Sequence, residues 1–192
     1  MAAAGSPDDR PRPRLGHRLR AVLACLLLTP SPGLAQDAPD ILTENYRDWA
    51  LICQNGATAE DAQTGRICEI TQELRQSTDG QRVLRIALAV SPEAPEGSAA
   101  LTLITPFGVR LADGVSLAVA DDDTVARVPF LTCLAVGCIA NETLSPEMMD
   151  RVAQSETAII GMFTASGDEA QLEISLRGLS AAWRRLTALA QE

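Results

Sequence analysis

The chain has no lysine: all 16 of its basic residues are arginine. Schiff-base chemistry, which needs a lysine amine, is therefore excluded. It has one histidine, His17, and that residue lies in a segment expected to be removed. Without His17 there is no Ser-His-Asp or Cys-His nucleophilic pair and no His-ligated metal. Acid-base work would fall to carboxylates alone. Aromatics make up only 3%, so a core must be built from Leu, Ile, Val and Ala, which the 46% hydrophobic content allows. The net charge of −9 comes with no long basic run, which argues against a nucleic-acid partner. No apolar run reaches the roughly 20 residues that a spanning helix needs.

The N-terminus carries Arg10, Arg12, Arg14, Arg18 and Arg20, then the apolar run Ala21 to Leu28 and the break Thr29-Pro30-Ser31-Pro32. Gly33-Leu34-Ala35 offers small residues at the cleavage-determining positions. This is the pattern of a secretory signal peptide over residues 1–35, with cleavage after Ala35. Its removal takes away five Arg and two Asp and leaves a charge of −12. The mature chain, without a transmembrane segment, is expected in an oxidising space.

Residues 36–43 read as a mobile lead-in and 44–192 as one domain. Trp49, Leu51 and Cys53 alternate in a first strand, and Cys68, Ile70, Gln72 and Leu74 line a second. Further strands follow at 83–90, 100–105, 115–119, 126–134, 138–144, 158–164 and 172–176. A short helix opens at Ser145-Pro146-Glu147, with Ser as cap and Pro at the first position, and another spans Leu179 to Ala190. Nine short strands with turns between them have the rhythm of an antiparallel sandwich, not of alternating β and α units. Trp49 and Trp183 sit on apolar faces and read as core. Asp121-Asp122-Asp123 reads as a solvated turn rather than a calcium site.

The mature chain keeps four cysteines, Cys53, Cys68, Cys133 and Cys138. An even number in an exported chain implies disulfides; four allow three pairings, and proximity favours Cys53–Cys68 and Cys133–Cys138. The second pair requires a chain reversal, for which Leu134-Ala135-Val136-Gly137 is a suitable four-residue loop. The alternatives are a redox pair at Cys133 and Cys138 or a four-cysteine zinc site. Redox motifs usually have two intervening residues rather than four, and zinc needs reduced thiols.

The candidate contact loops are Ser91 to Ser98, with Pro92, Glu93, Pro95 and Glu96, and the turn Pro106-Phe107-Gly108. Phe107 there is placed for either packing or display.

Several stretches are similar to one family. They are Trp49 to Cys53 with Cys68-Glu69, L-I-T-P-F-G-V-R-L-A-D-G-V from Leu103 to Val115, F-L-T-C-L-A-V-G-C from Phe130 to Cys138, and S-L-R-G-L-S-A-A from Ser175 to Ala182. Together they resemble the invasion-associated locus B proteins, exported by α-proteobacteria, over about Glu44 to Leu189. The arginine-rich leader and the long Cys53–Cys68 loop depart from the family pattern. The resemblance implies an all-β fold: an immunoglobulin-like antiparallel β-sandwich with one short helix between strands and a C-terminal helix. It also implies a periplasmic or outer-membrane-associated location, linked in some pathogens to invasion of host cells, and it carries over no catalytic residues. The expected function is a non-enzymatic module that binds another envelope or host protein, without cofactor. The alternative is a periplasmic thiol-disulfide protein using Cys133 and Cys138.

Overall fold

The computed structural model describes residues 41–55, 66–91, 93–119 and 123–191. These fall within one compact unit, Ala38–Glu192. The leader reading over 1–35, Pro92, Asp121 and Asp122 lie outside the described residues.

Among the described residues, eleven strands form two antiparallel sheets. The larger contains β1 (Ile41–Tyr46), β2 (Trp49–Asn55), β3 (Arg66–Arg75), β4 (Arg82–Val90), β5 (Ala99–Thr105), β8 (Phe130–Leu134) and β9 (Gly137–Leu144), in the order β1-β2-β3-β4-β5-β9-β8. The smaller contains β6 (Val115–Val119), β7 (Asp123–Val128), β10 (Thr157–Phe163) and β11 (Glu169–Ser175), in the order β11-β10-β6-β7. The sheets share one core, in which Trp49, Leu51, Ile70, Leu88, Leu101 and Leu103 meet Leu117, Val128, Ile160 and Ile174. Each fully buried Leu or Ile contributes about 1.5–3 kcal/mol. Helix α1 (Pro146–Gln154) starts as expected, with the Ser145 Oγ accepting from the Met148 amide at 3.3 Å. Helix α2 (Leu179–Leu189) buries Leu179, Ala182 and Leu186. The fold is thus the all-β sandwich with a helix between strands and a C-terminal helix.

Three local expectations are corrected. Ile41 to Thr43 belong to β1 and pair with Ile52 to Gln54 rather than forming a lead-in. Half-buried Leu42, Glu44 and Tyr46 alternate with exposed residues along this strand, so a glutamate stands at an inward position and disguises the pattern. Arg185 of α2 resolves that burial by a forked contact, its Nε and Nη2 donating to the Glu44 carboxylate at 3.1–3.2 Å, and the Tyr46 hydroxyl donates at 2.6 Å. The stretch 126–134 is two strands in different sheets. Pro129, with no N–H for a ladder, divides β7 from β8 and lets the chain change sheets. The reversal before Cys138 has a two-residue loop, Ala135-Val136, because Leu134 already pairs with Gly137.

Both cysteine pairs are disulfides between directly opposed residues, Cys53 with Cys68 and Cys133 with Cys138. Cys68 lies toward the Val90 end of the larger sheet and Cys138 opposite Thr105, so the two bonds staple opposite ends of it. Trp183 is half-buried at the core margin rather than enclosed, whereas Trp49 is 1% exposed.

The β1–β2 turn, Arg47-Asp48, clasps the connection from β11 to α2. The Asp48 Oδ2 accepts from the Ser175 Oγ at 2.6 Å and the Arg177 Nε at 3.2 Å. Gly178 follows with φ 96°, and a Cβ there would overlap the Tyr46 carbonyl oxygen. Gly178→Ala should therefore cost about 3 kcal/mol or more in denaturant unfolding, from left-handed strain and backbone clash together.

Hydrogen bonds from Arg185, then Tyr46, hold the Glu44 carboxyl below its ordinary pKa. A carboxylate whose native pKa is depressed adds stability above its unfolded pKa and loses it as pH falls through the native value. Glu44→Gln should accordingly be less stable than the parent near neutrality, with the gap closing on acidification below the ordinary glutamate range in pH-resolved thermal melts. Loop closure assigns about 3 kcal/mol to Cys53–Cys68 and about 2 kcal/mol to Cys133–Cys138. Paired Cys→Ser variants should lose stability in that order in guanidinium titrations.

Candidate functional site

At its Thr105 end, β5 runs into Pro106, which cannot continue the ladder. The turn that follows is pinned downstream: the Gly108 carbonyl accepts from the Ala165 amide at 2.7 Å, and the Arg110 amide donates to the Phe163 carbonyl at 2.8 Å. The Arg110 guanidinium also lies over the Phe163 ring, 5.8 Å from its centroid, and pairs with Asp113 at 2.9 Å. Phe107, held between these anchors, is nevertheless 62% exposed. The surrounding framework fixes the turn without using its aromatic ring.

Beside it stands the stapled tip of the β8–β9 hairpin. Ala135 and Val136 keep negative φ, and Gly137 supplies the positive one at 130°. A Cβ at Gly137 would overlap the Thr105 carbonyl oxygen, so only glycine lets the hairpin backbone lie this close to β5. The Arg82 Nη2, from the start of β4, donates to the Val136 carbonyl at 2.6 Å. With the Cys133–Cys138 bond, three constraints hold this tip. Yet Leu134 and Val136 are 53% and 54% exposed. An open cleft of about 380 Å³ lies between tip and turn, walled by Arg82, Pro106, Phe107, Ala135 and Val136.

This end of the sheet can offer a rigid surface on which exposed apolar side chains stand beside polar groups and one guanidinium. Arg82 is shared with the Glu73 carboxylate at 3.6 Å, so its charge is partly answered from within the chain. Among the described residues there is no grouping of three or more His, Cys, Asp or Glu able to hold a metal ion. Cys133 is exposed and Cys138 buried, and both sulfurs are committed to one bond.

The structure separates the two sequence-nominated loops. Ser91 to Ser98 precedes β5 and Pro106-Phe107-Gly108 follows it, so about 23 Å of strand lies between them. Glu93, Pro95 and Glu96 are exposed at the far end. There, Pro95 and Glu96 border a groove of about 480 Å³ against Trp183 and Arg184 of α2. Leu134, Ala135 and Val136 were legible only as a linker between cysteines. Their signal was an apolar Ala-Val at a tight turn, where Gly, Asn or Asp is usual.

The family described as invasion associated locus B (IalB) protein matches residues 49–187. An invasion protein B homolog of Brucella abortus strain 2308 is 32% identical over 151 residues, covering 77% of this chain and 80% of that one. Invasion protein B of Bartonella bacilliformis is 27% identical over 165 residues, covering 83% and 82%. The crystal structure of invasion associated protein B from Bartonella henselae shares the fold, with a TM-score of 0.67 at 22% identity, over 79% of this chain and 99% of that one. By that match over residues 49–187, the chain belongs to the invasion-associated locus B family.

Proposed function

We propose that this protein is a non-enzymatic binding module of the bacterial cell envelope, exported by residues 1–35 and acting in the periplasm or at the outer membrane. Its partner is another envelope or host protein. The observation that carries the reading is the exposed pair of Phe107 and Val136, held on a turn and a hairpin that are rigid for other reasons. Exposed side chains on a preorganised frame lose little conformational entropy on binding, and aromatic rings such as that of Phe107 are prominent in interface energetics. The relatives named invasion proteins support a role in contact with other molecules. The Ser91–Ser98 loop, with Glu93, Pro95 and Glu96 exposed, is a second contact at the opposite end. Among the described residues no helix is long and apolar enough to cross a membrane.

Crosslinking in intact cells of the source bacterium, followed by purification and mass spectrometry, tests the reading. One stoichiometric partner is expected, with crosslinks near Phe107 and Val136. The double variant Phe107→Ser, Val136→Ser should weaken binding by about 30-fold or more while leaving the thermal melt unchanged. An undiminished yield with that variant would remove this surface from the proposal. Recovery only as mixed disulfides through Cys133 or Cys138 would favour the redox alternative instead.

A further inference from the structure

Burial does little to hold β8 in place. Four of its five residues are exposed, and only Phe130 packs against the core. The strand lies at the edge of the larger sheet, paired with β9 on one side, and that pairing shifts register between Phe130 and Thr132. An irregularity of this kind disrupts the ladder locally. The loop that closes the hairpin, Ala135-Val136, has no Gly, Asn or Asp to favour its reversal. β9, by contrast, pairs with β5 along the whole of Ala99–Thr105 and buries Cys138, Ala140 and Leu144. Segments with few buried apolar contacts open at the lowest free energy. Beyond its short, interrupted ladder, the tip is tied down by the Cys133–Cys138 bond and by the hydrogen bond from Arg82 to the Val136 carbonyl.

The two disulfides also differ in access. Cys53 is fully buried and Cys68 half-buried against the core, whereas Cys133 is exposed. Thiol–disulfide exchange begins when a thiolate reaches one sulfur of the bond. We infer that Cys133–Cys138 is a redox switch for the Phe107–Val136 surface, opened by a dithiol that enters at Cys133. The switch rests on that surface binding a partner, as proposed above, and gives the binding a regulator. One thiol of the dithiol loses its proton and bonds to the Cys133 sulfur. The Cys133–Cys138 bond breaks, and Cys138 leaves with the electron pair and takes up a proton. The second thiol, deprotonated in turn, displaces Cys133 from the mixed disulfide, and Cys133 is protonated. The dithiol is thereby oxidised to a disulfide and the cysteine pair reduced to two thiols. Cys138 stays with β9 on β5, while β8 and Ala135-Val136 come loose. The cleft then loses the wall that carries Val136, and Phe107 stays in place because Gly108 and Arg110 pin its turn independently.

Two measurements on the purified, oxidised protein read the switch without any partner. Brief treatment with dithiothreitol, then alkylation and mass spectrometry, should label Cys133 and Cys138 while Cys53 and Cys68 remain joined. In that selectively reduced form, residues 130–136 should exchange with deuterium at least about 10-fold faster than in the oxidised form, and β4 and β5 should be unchanged. The paired variant Cys133→Ala, Cys138→Ala, verified as folded by circular dichroism, should show the same pattern with no dithiol present. In intact cells its crosslinks near Phe107 should fall by about 10-fold, as expected when the competent tip is populated about a tenth of the time. Reduction of Cys53–Cys68 first, or unchanged exchange over 130–136 after reduction, would overturn the inference. Undiminished crosslinking by the alanine pair would overturn its link to binding. If the parent chain yields no partner, the binding reading fails instead, and the exchange data still decide whether the bond governs the tip.

Discussion

Trp49 joins the two sheets. Its indole is buried on β2, and its Nε1 donates at 3.0 Å to the Ser175 carbonyl at the end of β11 in the opposite sheet. The Gln72 side-chain amide donates to the same carbonyl at 3.0 Å and to the Asp48 carbonyl at 2.9 Å. A polar atom in so apolar a place is costly unless it is bonded, and here each donor finds a main-chain acceptor. The sheets therefore lock in a single relative position. The clasp of Asp48 on Ser175 and Arg177, and the close passage of Gly178 under Tyr46, both depend on that position.

Seen from this lock, the family-like stretches divide by physical role. Ser175, Arg177 and Gly178 form the joint between smaller sheet and C-terminal helix. Arg110 and Asp113 stiffen the segment after the Pro106 turn. Gly137 allows the hairpin to lie on β5. These residues explain themselves through the fold. Phe107, Leu131, Leu134 and Val136 do not, since they lie in the same stretches yet remain largely exposed. Rigidity and display thus meet at one end of the larger sheet, where apolar groups are held in place by bonds they do not themselves make.

The strands of the core were readable because alternation survives wherever the inward residues are apolar. Leu51 and Cys53, Leu84 to Leu88, Leu101 and Leu103, and Val115 to Val119 all follow it. Reading failed where a long-range partner changed the meaning of a residue. Glu44 faces inward only because Arg185, far along the chain, neutralises it. Pro129 divides two strands that periodicity joins, and the consequence, a change of sheet, is not a local property. The candidate surface shows the same split. Phe107 was visible as an aromatic at a turn, but its neighbours across the cleft come from a hairpin 28 positions on.

The sequence alone determined composition and the chemistry that composition excludes. Four cysteines paired by proximity, an arginine-rich N-terminus before an apolar run, and the want of lysine and of histidine beyond His17 are properties of residue identity and spacing. Such properties need no third dimension. Which residues lie side by side was settled only by the tertiary structure. Strand pairing brings Val136 next to Phe107, sends the Ser91–Ser98 loop to the far end of the same sheet, and leaves β8 on an open edge. Those outcomes depend on sheet order, and sheet order follows from how a whole core is enclosed rather than from any one stretch of it.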